Sequence, residues 1–246
     1  MPGPARTVLV TGAASGIGAA IARRLAAVGY SVVAADRPGA AVSALATEVD
    51  GIALKFDVTD EAAASEAIRA LPSLDAVVNC AGIAPEGPID ELPLLRRALE
   101  VNLVGTAVVT AAALPLLRRS PAPRVLNIGS VQGAVSAAGA AAYSASKGGV
   151  HSLTRALAVD LASDRILVNA LAPGFVDTPM AVMADGRTEY ETEWFQSVYV
   201  EHARIPLRRP ASPHEVAMAA EFFVSADNTY VTGAIIPVDG GLTATF

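Results

Sequence analysis

The sequence predicts a single-domain α/β protein, a doubly wound parallel sheet of about seven strands with helices on both faces. Three observations carry that expectation. Short aliphatic runs alternate with longer, alanine-rich helical stretches, as in a parallel sheet covered on both sides. The runs close on turn residues, among them Gly12, Asp36, Asp57 and Asp239-Gly240-Gly241. The 246 residues suit one such domain, and no linker, repeat or low-complexity segment interrupts the alternation.

Each element follows in order. Val8-Leu9-Val10 reads as the first strand, ended by Thr11-Gly12, and residues 17–28 as a helix with Ile21, Leu25 and Val28 on one face. Residues 31–35 form a second strand closed by Asp36, residues 40–49 a short helix, and residues 52–56 a third strand closed by Asp57. Thr59-Asp60-Glu61 opens the next helix with a capping residue and acids at its positive end. The fourth strand is 75–79, followed by Ala81-Gly82, and a long helix covers 92–118. Arg124–Ile128 is the fifth strand, 143–161 a long helix and 166–171 the sixth strand. Ser212-Pro213-His214-Glu215 is a capping box with proline at the first helical position, and Ile235–Val238 is the last strand.

Composition removes several function classes. Hydrophobic residues are 52% and charged residues 17%, too apolar for a disordered chain. Aromatics are only 5%, so the core must be aliphatic. A net charge of −6 disfavours a binder of nucleic-acid phosphates. The single cysteine, Cys80, excludes an intramolecular disulfide and a cysteine-rich zinc site, and His151, His202 and His214 have no metal-ligand spacing. The most apolar stretch, 103–117, is shorter than the roughly 20 residues of a membrane span and contains Gly105, Thr106, Thr110 and Pro115. The opening Met-Pro-Gly-Pro-Ala-Arg has no apolar signal-peptide core. The expectation is a soluble, cytoplasmic protein without a metal, a nucleic acid or a membrane as partner.

Thr11-Gly12-Ala13-Ala14-Ser15-Gly16-Ile17-Gly18 lies between the first strand and the first helix. Gly12 allows a sharp turn, Gly16 removes a side chain where a pyrophosphate must approach the backbone, and Gly18 allows the helix to pack closely on the sheet. The helix N-terminus then offers free N–H groups to phosphates. Asp36 lies 18 residues past Gly18, at the end of the second strand. A carboxylate there accepts hydrogen bonds from adenosine ribose hydroxyls and repels a 2′-phosphate. The neighbouring Arg37 offsets part of that repulsion, and NAD is favoured over NADP.

Tyr143 and Lys147 stand four residues apart at the start of a long helix and share one face. A phenol with its reference pKa near 10 is a poor base at neutral pH, and a nearby ammonium and an oxidised nicotinamide favour its phenolate. Such a tyrosine takes a proton from an alcohol as hydride leaves, and returns it to a carbonyl in reverse. Ser130, at the carboxyl end of the fifth strand, can hydrogen-bond the same substrate oxygen.

With these residues in place the chain resembles the short-chain dehydrogenase/reductase family, in its single-domain branch of about 250 residues with a Rossmann-like fold. The markers run from Thr11 to Gly241: the glycine turn, Asp57-Val58, Asn79-Cys80-Ala81-Gly82, Asn102, Ser130, Tyr143-x-x-x-Lys147 and Pro173-Gly174. The resemblance implies that Tyr143 is the acid/base, that Ser130 binds the substrate oxygen, and that Lys147 favours the phenolate and binds the nicotinamide ribose. It implies that Asn102 holds a water of a proton relay. Gly12, Ser15, Gly16, Ile17 and Gly18 would hold the phosphates and Asp36 the ribose. Asp57 and Val58 would contact adenine, Asn79, Ala81 and Gly82 would line the adenosine side, and Pro173, Gly174, Val176 and Thr178 would hold the carboxamide. Cys80 departs from the family's usual asparagine. The resemblance also implies a homotetramer, through helices 92–118 and 143–161 and the last strand, with Val104, Val108, Leu153 and Leu157 as contact residues.

The stretch 177–209 is the least regular and is expected to cover the substrate. Tyr190 with Trp194, and Phe195 with Tyr199, are i,i+4 pairs expected on one helix, with the aromatic face turned over the site. The opposite wall is assigned to Val131, Gln132, Ser136 and Ala137. Gln132, Ser136 and Trp194 are the substrate candidates. Arg96-Arg97 and Arg118-Arg119 are read as solvated helix faces. The expected activity is NAD-dependent hydride transfer on a secondary alcohol or ketone, such as a sugar, polyol or other small hydroxy compound. The alternatives are a 3-oxoacyl-thioester reductase, whose usual NADPH preference Asp36 opposes, and a non-catalytic NAD-binding sensor or scaffold.

Overall fold

In the computed structural model, which describes residues 5–183 and 185–244, alternate side chains along each strand part into two hydrophobic cores. The leader expectation for the first residues falls mostly on Met1–Pro4, outside the described residues, as does Ala184 of the 177–209 stretch. The strands are β1 (Thr7–Thr11), β2 (Ser31–Asp36), β3 (Ile52–Lys55), β4 (Ala76–Asn79), β5 (Arg124–Ile128), β6 (Leu167–Pro173) and β7 (Ile235–Val238). They form one seven-stranded sheet in the order β3-β2-β1-β4-β5-β6-β7. Every neighbouring pair is parallel. The fold class expected from the alternation of strands and helices is the one observed.

The helices are α1 (Gly16–Ala27), α2 (Val42–Glu48), α3 (Glu61–Arg69), α4 (Leu92–Ala98), α5 (Gly105–Leu117), α6 (Ala141–Asp160), α7 (Glu193–Phe195) and α8 (Pro213–Val224). Val8, Val10, Val32, Ala34, Ala76, Val78 and Leu126 face the core closed by α1, α2 and α8. Leu9, Val33, Val77, Val125 and Val168 face the opposite core, closed by α3, α5 and α6. Strands buried on both faces need aliphatic residues at every position, which is why they read as continuous runs.

Caps fall where the sequence places them. Asp60 accepts the Ala63 N–H at 3.0 Å at the start of α3, and Glu215 accepts the Ser212 N–H at 2.8 Å before α8. Such a cap is worth about 1 kcal/mol.

The helix expected over 92–118 is continuous but not uniform. A π-helical segment, Leu99–Val104, joins α4 to α5. The extra residue of a π turn rotates Asn102 inward, where its side chain is almost fully buried. The whole unit, Leu92–Leu117, is 26 residues, so by length and composition it could cross a membrane, which corrects the shorter stretch read from sequence. Half of its most apolar window is buried inside this fold, on the sheet and α6.

Candidate active site

The order of the strands reverses between β1 and β4, and in open α/β sheets ligands sit in the crevice outside the strand ends at that point. A cavity of about 1180 Å³ opens there. Every site residue named from the sequence lines it except Asn79 and Asn102. The sequence reasoning missed several others, including Glu86, Arg204 and the segment at Leu242 and Thr243 beyond the last strand.

The glycine turn is shaped as a cradle. Gly12 has φ +65°, and a Cβ there would lie 2.9 Å from the Ala81 backbone, so the turn closes directly on the β4 loop. Thr11 holds that approach, because its hydroxyl oxygen accepts the N–H groups of both Cys80 and Ala81 at 3.1 Å. A Cβ on Gly18 would collide with the Gly12 carbonyl oxygen. Gly18 therefore lets the first turn of α1 close on the chain just beyond β1. Gly16, at φ +53°, starts α1, and the nearest atoms a Cβ there would meet belong to the Thr178 and Pro179 side chains.

Asp36 faces this turn. One carboxylate oxygen accepts the Ala14 N–H at 2.9 Å and the other the Arg37 N–H at 2.8 Å. Each oxygen keeps a lone pair for a further donor. At the next strand end, Asp57 accepts the N–H and the hydroxyl of Thr59 at 2.9 and 2.8 Å. Those bonds, chiefly, hold its carboxyl below the usual carboxylate range, with smaller help from Arg97 and Arg37.

Ser130, Tyr143 and Lys147 come from β5's end and from the first turns of α6. The Ser130 hydroxyl oxygen accepts the Gln132 N–H at 3.1 Å, which leaves its own proton free to donate. Lys147 is almost fully buried and donates to the Ile128 carbonyl at 2.8 Å. Its ammonium lies 5.7 Å from the centre of the Tyr143 ring. A carbonyl partner leaves the positive charge uncompensated. No sequence signal marks Ile128, because it acts through its backbone. Gln132 and Ser136 are linked through Ser144, whose hydroxyl is 3.2 Å from the Gln132 amide oxygen and 2.8 Å from the Ser136 hydroxyl.

Asn102 and Asn79 lie behind the cavity. Asn102 accepts the Ile83 N–H at 2.8 Å and donates to the Ile83 carbonyl at 2.9 Å and the Ser146 hydroxyl at 2.8 Å. It ties the loop after β4 to the helix of Tyr143 and Lys147. Asn79 does not line the adenosine side, which corrects the role the resemblance implies for it. Its amide donates to Thr110 and Asn127 inside the sheet, at 3.0 and 2.9 Å. The thiol of Cys80 is pushed up to about 12, chiefly by burial, which leaves it protonated and unreactive.

The aromatic wall differs from the sequence expectation. Tyr190 lies in a 3-10 turn (Glu189–Glu191), Trp194 in the short α7 and Tyr199 in a π-helical turn (Gln196–Glu201). Thr188 and Thr192 each cap a new turn, so Tyr190 and Trp194 do not share a helix face. Tyr190 packs edge-on to Phe195, Phe195 tilts against Tyr199, and Trp194 stands edge-on to Tyr199 with centroids 5.3 Å apart. Tyr190 and Phe195 are buried in a satellite cluster with Phe175, while Trp194 is 62% exposed at the cavity rim. Tyr190, Trp194 and Tyr199 line the cavity, as expected of the aromatic face, while Phe195 lies buried beneath them and anchors the segment.

The family model described as enoyl-(acyl carrier protein) reductase matches residues 12–243. The chain belongs to the short-chain dehydrogenase/reductase family. It is 42% identical to cis-4-hydroxycyclohexanecarboxylate dehydrogenase of Sinomonas cyclohexanicum, over 97% of both chains. It is 39% identical to the galactitol 2-dehydrogenase (L-tagatose-forming) of Cereibacter sphaeroides, over 95% of this chain and 93% of that protein. Its structure matches a gluconate 5-dehydrogenase from Burkholderia cenocepacia in complex with NADP and tartrate, at TM-score 0.91 and 31% identity, over 100% of this chain and 97% of that one. As a member of the family, this dehydrogenase/reductase is an oxidoreductase of CH–OH groups that works with a nicotinamide cofactor.

Proposed function

We propose that this short-chain dehydrogenase/reductase interconverts a secondary alcohol and its ketone with NAD(H), on a small hydroxylated compound such as a sugar, polyol or cyclic alcohol. The observation that carries this reading is that one cavity joins the glycine cradle and Asp36 to Ser130, Tyr143 and Lys147. The residues fit a dinucleotide. The turn presents bare backbone where Gly12 and Gly18 exclude side chains, and Asp36 keeps acceptor capacity toward the cavity. The same carboxylate supports NAD over NADP, by repulsion of a 2′-phosphate.

The bound nicotinamide supplies the acceptor for the hydride leaving the carbinol carbon, or the donor in reverse. Tyr143 takes the alcohol's hydroxyl proton as the carbon–oxygen double bond forms, and returns it to the carbonyl oxygen in reduction. Ser130 donates its free proton to that oxygen. Lys147 keeps positive charge beside the ring, which stabilises negative charge on the phenolic oxygen. Two of its three N–H groups remain for the ribose and for a proton path. Asn102 positions the helix that carries both residues. The 177–209 segment covers the substrate, with Gln132, Ser136 and Trp194 along the pocket.

The test is turnover of a panel of sugars, polyols, cyclic alcohols and 3-oxoacyl thioesters with each cofactor, run beside Tyr143→Phe. The variant is expected to lose at least about 10²-fold in kcat while NADH binding changes little. Wild-type turnover in Tyr143→Phe would remove the tyrosine from its role. A second reading, reduction of a 3-oxoacyl thioester, draws on relatives that bear the name 3-oxoacyl-[acyl-carrier-protein] reductase, among them one of Aquifex aeolicus at 35% identity. It is preferred if only the thioesters turn over, with NADPH. We further propose a cytoplasmic homotetramer. Val104 on the π segment, Val159 on α6, Tyr230, and Ile236 on β7 are exposed apolar side chains available for its interfaces.

A further inference from the structure

His151 stands one helical turn beyond Lys147 on α6, and the chemistry above gives it no task. It is 4% exposed. Its ring lies against the two glycines that bracket Ser130. A Cβ on Gly129 would be 2.5 Å from the His151 Nε2, and one on Gly133 would be 2.6 Å from Nδ1. Neither glycine has a left-handed φ. What those positions require is therefore the missing side chain, and the imidazole occupies that space. The Nε2 atom is buried with no hydrogen-bond partner. An unsatisfied ring nitrogen is a cost that an aliphatic residue in the same slot would not carry.

We propose that His151 is a positioning residue for this reaction: its neutral ring wedges the Ser130 turn against α6, and protonation releases the wedge. This rests on the reading of Ser130 as the ligand of the substrate oxygen. The charges acting on the ring are Arg155 and Lys147, one turn away on either side along α6. The strand end and the turn set Gly129 and Gly133 against the ring, neither of them charged. Burial first, and the two cations next, hold the imidazole below its ordinary value of 6.5. The native protein thus binds fewer protons than the unfolded chain below about pH 6.5, and its stability falls as the pH drops further. A third cation between Lys147 and Arg155 has no carboxylate to meet, so the protonated ring moves toward water and leaves a gap behind Ser130.

The experiment follows ketone reduction by NADH between about pH 5 and 8. In this direction Tyr143 donates its proton, so acid does not deplete its active form, and a loss on the acid side belongs to another group. Wild type is expected to lose kcat on the acid side, at a pH below the ordinary imidazole value, because burial opposes protonation of the native ring. His151→Gln has similar reach and no titration, so it is expected to keep neutral-pH kcat near wild type and to flatten the acid limb. His151→Ala is expected to lose at least about tenfold in kcat with NADH binding unchanged, since misplacing one reacting group by an ångström costs on that scale or more. Gly133→Ala is expected to be impaired alone and partly restored in combination with His151→Ala, the signature of two side chains sharing one space. An acid limb that persists in His151→Gln overturns the proposal, as does wild-type kcat in His151→Ala. If His151→Ala does not fold, the profile of His151→Gln decides. Ser130→Ala with full turnover would overturn the reading of the serine itself, whereas an inactive Ser130→Ala beside indifferent His151 variants would overturn only the wedge.

Discussion

Asp36 is asked to do two things, and substitution can separate them. Its carboxylate holds the glycine turn through the Ala14 N–H and faces the adenosine end of the cavity. Asp36→Ala leaves the Ala14 N–H without its acceptor. A hydrogen bond to a charged group is worth about 1.5–3 kcal/mol, and because Asp36 is half-buried the lower end applies, about 1.5 kcal/mol. That corresponds to about tenfold in cofactor affinity if the loss falls wholly on the bound turn. A ribose hydroxyl donating to the same carboxylate adds a bond of similar size, so Kd for NADH should rise between about tenfold and about a hundredfold. Asp36→Asn keeps one acceptor oxygen for Ala14 but loses the charge. It should hold the turn, weaken NADH less, and admit NADP more readily. The assay is NADH fluorescence titration of the three proteins, with kcat/KM for both cofactors and thermal melting. Asp36→Ala should also lower Tm, while Asp36→Asn should not. A wild type that prefers NADPH would refute the cofactor assignment, and an Asp36→Ala enzyme with unchanged NADH affinity would refute the double role.

Two further outcomes are expected. Trp194, the only tryptophan, stands exposed at the cavity rim, so its emission should change more with NAD plus a substrate analogue than with NAD alone, and Trp194→Ala should raise KM for substrate while cofactor binding holds. Unchanged kinetic constants would place the substrate elsewhere. Light scattering at micromolar concentration should give a tetramer, and a monomer would refute the assembly drawn from the exposed apolar residues of α6 and β7.

The strands were legible because burial on both faces leaves an aliphatic run with no periodicity to misread. The catalytic set was legible because it occupies strand ends and the first turns of one helix. What escaped was set by partners distant in sequence. Asn102 turns inward because Ile83, on another element, offers both a donor and an acceptor to its amide. Nothing near Asn102 in the chain foretells that π turn. Asn79 is different, because the signal was present. Val77 faces the core under α5, and a residue two further along a strand shares its face, so Asn79 had to point into the interior. The 177–209 segment carried a readable sign too. Thr192, a residue type that caps helices, stands between Tyr190 and Trp194, where it starts a new turn and ends the register that would pair them.

The inward asparagines bear on how the site keeps its geometry. Asn79 of β4 donates to Thr110 of α5 and Asn127 of β5, and Asn127 donates to Thr154 of α6 at 2.9 Å. All four residues are buried. These bonds join the strand that carries Ser130 at its end to the helix that carries Tyr143 and Lys147, and Asn102 joins that helix to the β4 loop through Ser146. Aliphatic contacts alone tolerate small sliding of a helix over a sheet, because dispersion is nondirectional. A chain of directional bonds in a low-dielectric interior does not, since a slip would strand buried amides without partners. The Oδ1 atom of Asn79 already lacks one, so the network is retained despite a cost. Replacing Asn79 or Asn127 by an aliphatic residue could spare the fold and still loosen the distance between Ser130 and Tyr143, because in this layer the polar bonds, rather than the apolar packing, set the register of the reacting groups.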